Sequence, residues 1–185
     1  MNGGVYCMNH IRISLLMLGL LVSMFTLCSA ASLGSGNTIN ADMAKSKYKP
    51  VASADHSSYS EETGLYTLTG NVCIKCQAFT ITADSAMVNA STLQVWTDGH
   101  SAITEGELHF TGDALYAEIT ESTAWFFGTR CGCERPGLAI HSDNMRYNWQ
   151  THIVVFDGHV LWLQKGKNHT SSHLEFDLDK NDIVR

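Results

Sequence analysis

Positive charge is scarce in this chain. Its 185 residues carry 12 Lys and Arg against 18 Asp and Glu, a net charge of −6. Polyanions are held by a surplus of Lys and Arg, so no nucleic-acid partner is expected. Catalytic signatures are also missing: the sequence has no Gly-x-Ser-x-Gly, no His-Glu-x-x-His and no phosphate loop. Neither an enzymatic step nor a cofactor is expected. Nine histidines are present, but His141, His152, His169 and His173 fall in no ligand spacing. After the N-terminal region no segment is apolar enough to cross a bilayer.

What is present starts with that N-terminal region. His10 and Arg12 precede an apolar run from Ile13 to Cys28, and small residues follow at Ser29, Ala30 and Ala31. This is the pattern of a cleaved secretory signal over residues 1–30, with Met8 as an alternative start. Residues 31–50, rich in Ser, Gly, Asn and Lys, read as a flexible leader. Export places Cys73, Cys76, Cys131 and Cys133 in an oxidising compartment.

Residues 51–185 carry a repeat. Asp55, Asp84, Asp113 and Asp143 are spaced 29, 29 and 30 residues apart. Each is followed 15 residues later by a glycine: Gly70, Gly99, Gly128 and Gly158. A weaker fifth unit begins near His173. Three residues before each Asp stand Ala52, Ile81, Phe110 and Ile140. Apolar residues recur at every second position around each glycine, including Tyr66, Leu68, Val72, Val95, Phe126, Val154, Phe156 and Trp162. Period two marks strands with one buried face. A glycine inside such a strand marks a bulge or sharp bend. Turns are expected at 61–64, 89–91 and 148–151. His100 and His159, each directly after a repeat glycine, are expected to be exposed at the bends. The pattern breaks at Ser101, Arg130 and Gly132, which suggests space or an opening on one side.

The expected fold is therefore all-β, a stack of two-stranded units of about 30 residues. Strands bent at each glycine fold over into a V with an apolar interior. Repeats one and three lie about four strands apart, roughly 19 Å. A Cys73–Cys131 disulfide needs Cα atoms within about 7 Å, so local links or free thiols are expected. The same separation opposes a four-thiolate zinc site, and no metal is expected.

The segments Leu65-Tyr-Thr-Leu-Thr-Gly-Asn-Val72 and Phe79-Thr-Ile-Thr-Ala-Asp84 resemble the OstA-like family of lipopolysaccharide-transport proteins. Ile140-His-Ser-Asp-Asn-Met-Arg-Tyr147 and Val154-Val-Phe-Asp-Gly-His-Val160 extend the likeness. The chain is most similar to the small periplasmic members that bridge the two membranes. The resemblance implies an antiparallel β-jellyroll shaped like a folded taco. It implies that the interior holds lipid A acyl chains of lipopolysaccharide. The candidate lipid-binding residues are then Tyr66, Leu68, Val72, Ile81, Val95, Phe110, Phe126, Ile140, Val154, Phe156 and Trp162. It also implies partners in the inner- and outer-membrane transport machinery and end-to-end self-association. An envelope scaffold with a closed β core is the alternative reading of the same columns.

Overall fold

The computed structural model describes residues 50–184 apart from Gln77 and Lys165. The expected signal segment and nearly all of the expected leader lie outside the described residues.

Eleven strands form one antiparallel sheet. β1 (Val51–Ser53) and β2 (His56–Ser60) both pair with β3 (Leu65–Lys75). The sheet then runs in sequence order through β4 (Thr80–Asn89), β5 (Gln94–Glu105), β6 (Leu108–Glu118), β7 (Thr123–Arg135) and β8 (Leu138–Asn148). It ends with β9 (Ile153–Gln164), β10 (Lys167–Asp177) and β11 (Asp182–Ile183). Every neighbour in this order after β2 is joined by a short turn, so every pairing except β1 with β3 is between sequence neighbours.

The turns have a repeated chemistry. The Asn89 carboxamide oxygen accepts from the backbone N–H of Ser91 and Thr92 at 3.0 and 3.1 Å. Asn148 accepts likewise from Gln150 and Thr151, and Asp177 from Asp179 and Lys180. Each side chain mimics a backbone turn and stops the strand it ends. The turns close on residues with left-handed backbone: Leu93, Ser122, His152 and Asn181. Backbone bonds then tie turn to turn along one rim, Ile119 N–H to Leu93 O, Trp149 N–H to Ser122 O and Leu178 N–H to His152 O.

A line of bulges crosses the sheet and folds it. At each repeat glycine the pairing register shifts: two residues, such as Gly99 and His100, oppose the single Asp113. Gly99 and His100 have φ of +75° and +44°, and Gly158 and His159 have +77° and +43°. Two consecutive left-handed residues turn the strand sharply, which glycine accepts without strain. The repeat aspartate sits under the glycine, where any Cβ at Gly99 or Gly158 would strike the carboxylate of Asp84 or Asp143. That close approach ties the Asp–Gly pair together at a fixed spacing.

The two halves of every strand become two walls. Wall A holds β2, the first halves of β3, β5, β7 and β9, and the second halves of β4, β6, β8 and β10. Wall B holds β1 and the other halves. Across the fold, Phe110 of wall B stacks on Tyr147 of wall A at 4.2 Å between ring centroids and meets Phe126 at 6.1 Å.

The breaks in the apolar columns have a specific cause. In β7 the bulge holds three residues, Gly128, Thr129 and Arg130, opposite Asp143. The extra residue accounts for the single 30-residue spacing in the Asp series. Arg130 is turned out to solvent, while Cys131 and Cys133 become fully buried. Cys133 pairs with Phe110 and Ile140, so it occupies the interior row. The opening expected at Ser101, Arg130 and Gly132 is absent. Ser101 is buried and bonded to the Thr97 hydroxyl at 2.7 Å, and Gly132 packs between Thr111 and His141 on the other face.

Candidate functional site

The interior columns expected from the sequence all lie between the two walls. Leu68, Val72, Ile81, Val95, Phe110, Phe126, Ile140, Val154 and Phe156 are buried, each 3% exposed or less. Tyr66 and Trp162 are half-buried. Over β5 to β9 the walls touch and their side chains fill the interior. There Phe110, Phe126, Tyr147 and Phe156 have no exposed surface.

The interior is open at the N-terminal strands. A narrow apolar recess separates the walls there. Wall A contributes Tyr66, Leu68, Val88 and Val95, with Leu93 and Ile119 from the rim turns. Wall B contributes Ala52, Ile74 and Cys76. The lining is almost wholly apolar. The Cys76 thiol is the exception, and burial pushes its pKa up to about 12. Such a surface takes hydrocarbon: each methylene moved into it from water contributes about 0.8 kcal/mol. Ile74, Val88, Leu93 and Ile119 lay outside the expected site. Ile74 was readable from its column, four residues after Gly70. Leu93 and Ile119 were not, because turn residues follow no strand period.

The polar groups cluster elsewhere, along the exposed bend. His100 Nδ1 lies 2.8 Å from Asp84 Oδ2, and His159 Nδ1 lies 2.7 Å from Asp143 Oδ2. The side chains of His100 and His159 are 91% and 90% exposed. Each carboxylate raises the pKa of its imidazole, first through the hydrogen bond and then through its charge. In the first repeat Asn71 takes the same place, donating to Asp55 at 2.8 Å. In the third the Thr129 N–H donates to Asp113 at 3.0 Å. The aspartates thus cap the bends of the fold. Among the described residues no three His, Cys, Asp or Glu side chains gather where a metal ion could bind. Cys76, Cys131 and Cys133 are free thiols, so Cys73 and Cys131 are not joined.

A second feature had no signal in the single-strand pattern. On the outer face of wall A, Trp96, Tyr116 and Trp125 occupy one register row across β5, β6 and β7. Their rings stack at 5.4 Å between neighbours. Cross-strand aromatic pairs of this kind each contribute roughly 0.2–1 kcal/mol.

Fold and site together define the class: a repeat-built β-jellyroll whose single bent sheet encloses an apolar interior. The chain belongs to the family described as LptA/(LptD N-terminal domain) LPS transport protein, whose sequence model matches residues 52–182. Among solved structures it is similar to LptH from Pseudomonas aeruginosa. That protein is described as the LptA homologous periplasmic component of the conserved lipopolysaccharide transport device. The TM-score is 0.55 at 11% identity, covering 66% of this chain and 93% of that one. At that identity the likeness speaks to the fold, an LptA-like β-jellyroll. No curated protein matches the chain in sequence.

Proposed function

We propose that this chain is a periplasmic lipopolysaccharide carrier that bridges the inner and outer membranes and holds lipid A acyl chains between its walls. The observation that carries this reading is the apolar recess between Tyr66, Leu68 and Val95 on one wall and Ala52 and Ile74 on the other, in a member of a lipopolysaccharide-transport family. Binding is non-catalytic, and transfer follows from chains moving along apolar surface. Residues 1–30 direct export and are then removed, and the carrier joins end to end with copies of itself and with the membrane components at either side.

Cys76 is a native reporter of occupancy when labelling is run at alkaline pH and long exposure, conditions under which the lipid-free protein is first shown to react despite its raised pKa. Purified protein is treated with N-ethylmaleimide with and without lipopolysaccharide, and labelling is read site by site by mass spectrometry. An acyl chain in the recess shields Cys76 and slows its labelling. Unchanged labelling at saturating lipopolysaccharide would count against the reading and favour the closed scaffold.

A further inference from the structure

The two walls meet askew. Phe79, just before β4 on wall B, packs against Trp149, beyond the end of β8 on wall A, at 4.8 Å between ring centroids. Glu105, at the wall B end of β5, accepts a 2.6 Å hydrogen bond from the Tyr147 hydroxyl in β8. Arg135, at the wall B end of β7, donates through Nη2 to Leu178 O at 2.9 Å and to Asn181 Oδ1 at 2.8 Å, beyond β10. In every case the wall B rim reaches three or four strands further along wall A. These partners stand at the free rims of the V, opposite the bend.

The skew has a geometric result. The first strands of wall A have little of wall B facing them, and that is where the recess lies. From the Phe79–Trp149 contact onward the mouth is bridged by a ring pair, a buried hydroxyl on a carboxylate, and a guanidinium on a turn. These contacts span 42 to 70 residues of sequence and belong to no strand pairing. Two are hydrogen bonds to charged groups, which are stronger than bonds between neutral ones.

We propose that these three contacts are a latch that holds the mouth of the V shut over β5 to β10 and leaves the N-terminal recess as its port for an acyl chain. The proposal rests on the acyl-chain reading above for its ligand, but the latch is a property of the protein alone. While the latch is closed, a chain admitted at Tyr66 and Leu68 meets the filled core at Phe110 and Phe126. When it opens, the walls part along the rims and the apolar rows behind them become continuous with the recess. The bends do not move, because each is capped by its own aspartate.

The test uses Tyr147→Phe, which keeps the ring stack on Phe110 and removes the hydroxyl, and Arg135→Gln, on a partly exposed side chain. His100→Ala, at the bend, is the control. Amide hydrogen exchange is read at the rim, on Trp149 and Leu178, and at the centre of β6 and β8. Each latch variant is expected to raise exchange at the rim about tenfold, as loss of about 1.4 kcal/mol requires, with the sheet centre unchanged. Binding of pyrene-labelled myristate is measured in parallel, and its capacity is expected to rise in the same variants. Unchanged rim exchange in both variants overturns the latch, as does an equal rise in the control. Raised exchange with probe bound to the same extent as in the wild type overturns its gating role. Raised exchange with no probe bound by any form, the wild type included, supports the latch and removes the acyl-chain reading instead.

Discussion

The aspartate of each repeat does a structural job that glycine makes possible. Asp143 lies against Gly158, bonds His159 and faces the bulge, so three residues share one constraint. Gly158→Ala places a methyl group against that carboxylate at a φ of +77°. The expected loss is roughly 1–3 kcal/mol in chemical denaturation. Asp143→Ala should relieve part of it, so the double variant should be less than additive. The histidines add a pH dependence. Their folded pKa values lie above the unfolded value, so their contribution is complete below the unfolded pKa and is lost as pH rises through the folded one. Replacing His100 and His159 by Asn, the residue the first repeat uses at Asn71, should flatten the fall in stability from mildly acidic to alkaline pH. A fall equal to that of the wild type would show that these pairs contribute nothing measurable.

At the scale of the element, period two and the Asp–Gly spacing carried nearly all of the strand pattern. The expected turns at 61–64, 89–91 and 148–151 are found at 61–64, 90–93 and 149–152, and every expected interior residue faces the interior. The misreading at Arg130 came from counting positions from Gly128 as if every bulge held two residues. Only pairing with Asp143 reveals the third. This makes a deletion test. Removing Arg130 restores a two-residue bulge and leaves Cys131 and Cys133 inside, so the thermal midpoint should change little. Removing Ala102 shifts β5 by one residue beyond its bulge and turns Ile103 outward, at a cost of about 1.5–3 kcal/mol for that side chain alone. Equal damage from both deletions would contradict the register described here.

At the scale of the molecule, the sequence resolved the walls but not how they meet. Glu105 and Tyr147, or Arg135 and Asn181, are joined only through the skew of two walls, which no local period encodes. The recess follows from the same skew. The sheet ends with β1 and β2 on one side and β11 on the other. An uncovered edge accepts another strand through main-chain hydrogen bonds. We therefore expect concentration-dependent, open-ended growth in solution. Phe176→Pro, which removes the N–H at the β10–β11 pairing, should abolish it. A strict monomer at high concentration would rule that growth out.

The central claim is that lipopolysaccharide acyl chains enter between the walls at the N-terminal recess. Tyr66 and Thr67 test it most directly, because they are neighbours in β3 on opposite faces: Tyr66 lines the recess and Thr67 is exposed outside. A photocrosslinking benzoylphenylalanine is placed at one or the other in cells and irradiated. The account predicts lipopolysaccharide adducts from position 66 and none from position 67. Adducts from position 67 alone, or from neither, would contradict it.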